Sequence, residues 1–344
     1  MKGWALLMLL IIGSGVVVFF GPYEHPPLVI EQRGYRGLAM GQVNTARHVA
    51  NVQAANQVPA PIDPVEPSGT KSSEVYANVQ VLGDVDADEF TRLMSAITEW
   101  VSPEQGCAYC HAEGEELSSD SLYTKVVARR MLQMTKHINA EWQPHVGGTG
   151  VTCYTCHRGN NVPKNIWFKN PGPAAARGMA GNHAGQNSPA QSVAYASLPF
   201  DPFTPFLEQD RGIRVVSTTP LPEGNRQSIK QTEWTYGLMM HMSQGLGVNC
   251  TYCHNSRSFS AWDQSTPQRS TAWYGIRMVR DLNNAYLDPL LSVYPHNRLG
   301  PLGDAPKTNC TTCHQGVAKP LLGVSMLKDY PELGPTPVKA ASAQ

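Results

Sequence analysis

Apolar positions follow two rhythms along the chain, separated by stretches with neither. From Gly3 to Tyr23 no residue is charged, and Leu6–Ile12 and Val16–Phe20 are unbroken apolar runs. A helix over these residues, at about 1.5 Å per residue, can cross a hydrocarbon core of roughly 30 Å. Further on the apolar residues recur every three or four positions. Phe90, Leu93, Met94, Ile97 and Val101 form one stripe, predicting a helix that starts on the N-cap candidates Asp86 and Asp88 and stops before Pro103. Val126, Val127, Met131, Met134 and Ile138 predict a second, from Tyr123 to Trp142, with Pro144 helping to end it. A third is expected from Thr232 through Met242, and a fourth from about Thr271 to Leu287, carrying Met278 and ended by Asp288-Pro289. Residues 24–85 are rich in Pro, Gly, Asn, Gln and Ala and read as an extended strap. Residues 161–230 read as a connector, in which Arg211–Ser217 alternates as a short strand would.

Each predicted helix stands before a copy of one motif, Cys-x-x-Cys-His. The copies are Cys107–His111, Cys153–His157, Cys250–His254 and Cys310–His314, and they use all eight cysteines. Two thiols at this spacing suit thioether attachment to haem vinyl groups, and the next histidine then reaches the iron. Paired Cys-x-x-Cys motifs also occur at zinc sites, but four copies with His always following and no cysteine to spare favour four c-type haems. Cys107, Cys110, Cys153, Cys156, Cys250, Cys253, Cys310 and Cys313 are the expected attachment points, and His111, His157, His254 and His314 the proximal ligands.

A c-type haem takes a methionine or histidine on its other side. Met94 lies on a stripe that must face a large apolar disc, so it is read as a ligand and not only as core. Met131 and Met134, three apart, share a helix face, and the spacing leaves both open. Met239 and Met242 also share a face, with His241 a further candidate. Local symmetry would give the fourth haem Met278, whereas His145, just outside its helix in Pro144–Gly148, can turn toward a haem other than the neighbouring one. His25, His48, His137 and His183 are read as surface or polar-face residues.

Lys+Arg and Asp+Glu both number 27, which gives no argument for a nucleic-acid partner. Thioether attachment of haem takes place outside the cytoplasm. With Lys2 on the inner side, the first segment is expected to stay as a membrane helix, the alternative being a cleaved signal, and the bulk of the chain is expected in the periplasm. No cysteine follows the segment to carry a lipid. The organisation expected is a mainly α multihaem cytochrome c: helix 1–23, strap 24–85, first haem pair 86–160, connector 161–230, second haem pair 231–320 and tail 321–344. The two haem-pair units look like a duplication, with Gly150-Val151-Thr152-Cys153 matching Gly247-Val248-Asn249-Cys250.

Val127–Leu132, Gly150–Gly159, Ser265–Arg269, Gly275–Asp281 and Lys328–Gly334, with the four motifs, resemble the tetrahaem cytochrome subunit of purple-bacterial-type photosynthetic reaction centres over roughly residues 75–335. The resemblance implies an electron carrier, not an enzyme, which passes electrons from a soluble cytochrome c or high-potential iron-sulfur protein to the photo-oxidised chlorophyll pair. The pair is held by reaction-centre core subunits, the bacteriochlorophyll-binding L and M type. The resemblance also implies Met94, Met131, Met239 and His145 as sixth ligands of the first to fourth haems, and an electrostatic role for Arg269 near the third. Many relatives carry a lipid-modified cysteine where this chain has its apolar helix. A multihaem reductase, a quinol dehydrogenase or a non-photosynthetic wire are the competing classes.

Overall fold

The computed structural model describes residues 2–21, 27–171, 190–215 and 229–335; His25, His183 and residues 216–217 of the expected strand lie outside them. The architecture is mainly helical. Helix α1 (Lys2–Phe20) contains a window, Gly3–Phe20, of mean hydropathy 2.4, none of it buried against the protein. It is long and apolar enough to anchor the chain in a membrane.

The strap is more ordered than its composition suggests. Strands β1 (Leu28–Arg33) and β2 (Met40–Thr45) pair antiparallel, Leu28 opposite Thr45 and Arg33 opposite Met40. Leu28-Val29-Ile30 supplies the β-branched run. Thr45 ends the hairpin and caps helix α2 (Ala46–Ala55), its Oγ1 accepting from His48 N at 3.1 Å. Beyond a short helix α3 (Ser72–Val75), only the part between α2 and α3 behaves as a strap. There Ile62 N donates to the Tyr330 hydroxyl at 3.0 Å.

Helix α4 (Ala87–Val101) starts where Asp86 accepts from Asp88 N at 3.0 Å, and buries Leu93, Ala96 and Trp100. Helix α5 (Tyr123–Glu141) is followed at once by a single turn, α6 (Gln143–Val146), so His145 sits on a helical turn and not in a loop. Trp142 O accepts from His145 N at 2.9 Å and Val146 N at 3.0 Å, and Gly147 at φ +57° closes the turn. The second and fourth motifs form turns α7 (Cys153–His157) and α10 (Cys310–His314). Helix α8 spans Ile229–Leu246. Helix α9 (Pro267–Asp281) begins four residues before Thr271, because Pro267 occupies its first turn with φ already helical. Its path continues as a π-helical turn, Leu282–Leu287. Arg211–Val215 forms no strand: Ile213 packs into the core and its carbonyl accepts from Thr235 Oγ1 of α8 at 3.0 Å. That one-sided contact accounts for the alternation.

Two apolar clusters hold these elements. One joins Ile138 of α5, Phe203 and Leu207, Leu238 of α8 and Ile276 and Val279 of α9. The other folds the C-terminal stretch back on α4, with Leu321, Tyr330 and Leu333 against Leu93 and Trp100. The Tyr330 ring meets Trp100 edge-on at 4.7 Å, with the Arg92 guanidinium 4.6 Å from its centre. Residues 321–334 therefore belong to the core around the first motif's helix.

Candidate haem-binding site

The four motifs adopt two backbone forms. In α7 and α10 the residue before the first cysteine and the third residue after it cap each other, Thr152 with Thr155 and Asn309 with Thr312. Both turns end on a left-handed residue, Arg158 (φ +48°) and Gln315 (φ +47°). The first and third motifs are tighter 3₁₀ turns, Gly106–Tyr109 and Cys250–Tyr252. A helical turn of either kind puts residues three apart on one side, which turns both thiols toward one ligand and leaves the histidine to follow.

The histidines share one arrangement. Nδ1 of His111 lies 3.0 Å from Leu117 O, that of His157 2.9 Å from Asn160 O, that of His254 2.8 Å from Phe259 O and that of His314 3.0 Å from Val317 O. His145 does the same with Thr271 O at 2.9 Å. A carbonyl only accepts, so each Nδ1 carries the hydrogen and each Nε2 keeps its lone pair, as a metal-ligating imidazole requires. Burial lowers the pKa of His145, His157 and His254, and that of His314 to about 4 with repulsion from His145 adding to it. All four are neutral at pH 7. The rings of His145 and His314 lie 6.0 Å apart, centre to centre, at 70° to each other. Helix α9 carries Gly275 against His145; a Cβ there would stand 2.5 Å from His145 Cε1.

A continuous cavity of about 1460 Å³ runs through the protein, more than the roughly 300–1,000 Å³ usual for one small ligand. It is lined by the cysteines and histidines of the first, second and fourth motifs, by His145, and by Met94, Met131, Met134, Met242 and Met278. Met278 is also buried in the core cluster beside Val279. Cys250, Cys253, His254 and Met239 are not on its wall. The third motif is instead gripped by the hairpin: Thr251 Oγ1 accepts from Met40 N at 2.9 Å and donates to Arg33 O, and Asn249 Nδ2 donates to Met40 O at 2.8 Å. Met239 packs half-buried on the core cluster of α8 and α9. Arg269 donates to Ala261 O at 2.9 Å and lies over the Trp262 ring at 4.1 Å. Thr266, at the head of the same helix, donates to Cys253 O and Tyr252 O at 3.2 and 2.6 Å.

Some features of the site had no sequence signal. Cys156 Sγ lies 2.9 Å from Cys313 Sγ, and Arg158 bridges their turns by donating to Cys313 O at 2.8 Å. Only the matched caps at Thr152 and Asn309 hint that α7 and α10 are partners. Lys125 is buried beside the first motif, where an amphipathic pattern would have set it on the surface. Burial pushes the Cys153 and Cys310 thiols up to about 12 and those of Cys110 and Cys253 to about 11. Among the described residues no three His, Cys, Asp or Glu side chains converge as a metal-ion cluster, and the zinc alternative lacks its ligand set. Oriented imidazoles and paired thiols on an apolar cavity do fit covalently bound haem.

Comparison with known proteins agrees. Residues 24–334 match the family described as photosynthetic reaction centre cytochrome c subunit. The photosynthetic reaction center cytochrome c subunit of Rubrivivax gelatinosus is 53% identical over 93% of this chain and 87% of its own length. That of Thermochromatium tepidum is 52% identical over 92% and 77%, and that of Roseobacter denitrificans 43% identical over 86% and 85%. The chain belongs to the family of photosynthetic reaction centre cytochrome c subunits, which carry c-type haem, associate with the reaction-centre core and serve its electron transfer.

Proposed function

We propose that this subunit holds four c-type haems and passes electrons from a soluble periplasmic donor to the photo-oxidised chlorophyll pair of a core with L- and M-type subunits, acting as a carrier and not as an enzyme. When bound, each haem supplies a one-electron redox centre at its iron. The chain's own residues do the rest. The eight cysteines fix position, and His111, His157, His254 and His314 present Nε2 as proximal ligands. Met94, Met131 and Met239 would hold the first three haems from the side opposite the motif histidines; a thioether there would keep those potentials high, suited to donating into a strong oxidant. His145 would hold the fourth, which would then sit at a lower potential. The apolar walls exclude water, and α1 keeps the protein at the membrane with its bulk in the periplasm. Four motifs pairing up as two haem-pair units is the organisation this favours.

The observation that carries the proposal is the common orientation of five imidazoles, four from the motifs and His145 opposite His314. The donor docks near the first haem, where Glu113, Glu115 and Glu116 are exposed; Asp120 is engaged with Arg129 and contributes less. The test is the flash-induced absorbance change in the c-haem α-band, on native membranes poised with the haems reduced. Haem oxidation that tracks recovery of the chlorophyll pair is expected. Four chemically confirmed haems with no flash response would leave a membrane-anchored wire or reductase.

A further inference from the structure

The carbonyl that receives the first proximal histidine is shared. Leu117 O accepts from His111 Nδ1 at 3.0 Å and also from the Lys125 ammonium at 2.6 Å. Lys125 Nζ further donates to Ser119 O at 2.7 Å. Among the described residues no Lys or Arg side chain donates to the carbonyls that accept from His145, His157, His254 and His314. Lys125 is buried, 9% exposed, and lines the haem cavity.

Its charge is only partly neutralised. Asp120 is the near carboxylate, with Oδ1 at 3.4 Å from Nζ, but both its oxygens are held by Arg129 at 2.7 Å and one by Asn78 at 3.0 Å. Two cations thus face one anion behind Leu117. Glu113, Glu115 and Glu116 sit on the same loop but are exposed, where solvent and salt screen them.

We infer that Lys125 is a positioning residue that raises the potential of the first haem by competing for the carbonyl that polarises His111. A histidine whose Nδ1 hydrogen is strongly accepted becomes a more basic ligand, and a more basic ligand favours the oxidised iron. An ammonium on the same oxygen withdraws that acceptor and places positive charge near the iron, and both effects favour the reduced form. The inference rests on His111 being the proximal ligand proposed above.

The test is an equilibrium redox titration of the intact subunit in membranes, with the four α-band components resolved. Lys125→Gln is expected to lower one midpoint so that, at the parent's midpoint, the oxidised-to-reduced ratio of that haem rises about tenfold, or ~59 mV for one electron. The other three hold. Met94→Leu is expected to displace the same component, which identifies it as the first haem. Asp120→Asn separates charge from loop support: it loosens the same loop, yet electrostatics moves that midpoint up, whereas a structural role would move it down with Lys125→Gln. Lys125→Arg keeps the charge and should restore the parent value. No displaced component in Lys125→Gln, an upward one, or one different from that displaced in Met94→Leu overturns the inference. No spectral change in Met94→Leu beside a lowered single midpoint in Lys125→Gln would instead overturn the methionine assignment.

Discussion

At the scale of single residues, function here depends on which nitrogen or sulfur is free. His145 has Nδ1 committed to Thr271 O and its ring opposite His314, whereas Met278 is enclosed in the core cluster of α5 and α9. His145→Ala is therefore expected to change one low-spin haem spectrum and Met278→Leu to leave all four intact; the reverse pattern would reverse the assignment. Asp120 gives the pH prediction. The Arg129 guanidinium bonded to both its oxygens holds its pKa well below the usual carboxylate range. A carboxylate lowered in the folded state adds stability that is present above its unfolded pKa of about 4 and disappears as pH falls through the folded value. Asp120→Asn should thus unfold at lower urea than the parent at pH 7, by the same margin down to about pH 4, and the two should converge below that. The attachment chemistry was legible because it is written in adjacent residues. The shared Leu117 carbonyl was not, since a backbone oxygen has no letter of its own and Lys125 reads as an ordinary polar position of α5.

At the scale of elements, the helices α4 and α5 were readable to within a residue or two, because a 3.6-residue stripe and a capping Asp86 or a following Pro144 mark them directly. The hairpin β1–β2 was not. Its strands are half polar, and their stability comes from gripping Thr251 and Asn249, some 210 positions away. The α6 turn carries no such signal, because one turn of helix is too short to show a period. Where elements meet, glycine decides how near they come. Gly247, at φ +61°, ends α8 against the α10 turn, and a Cβ there would run into the Gly316 carbonyl. Gly247→Ala combines that clash with an unfavourable backbone. A loss of more than about 1 kcal/mol is expected, seen as a lower thermal midpoint, with haem content as the check that the protein still assembles.

At the scale of the whole molecule, zero net charge conceals local fields. The exposed Glu113, Glu115 and Glu116 lie by the first motif, and a basic donor would be drawn there. Reversing Glu113 and Glu116 to Lys should slow haem re-reduction by such a donor at low ionic strength, with the difference closing as salt shortens the Debye length from about 10 Å at 0.1 M to about 3 Å at 1 M. An unchanged rate at low salt would place docking elsewhere. The cavity has a consequence for how the protein comes into being. Its walls come from stretches as distant as Val75 and Leu327, so a cofactor bound there would touch segments that chain order keeps far apart. Attaching cofactor to such a chain is a step of folding as much as a modification. Haem ligation would then act on a chain not yet fully folded, and a chain that misses its prosthetic groups would lack those contacts and be the easier target for proteases. Abundance of the subunit in the cell should accordingly follow haem supply and not transcription alone.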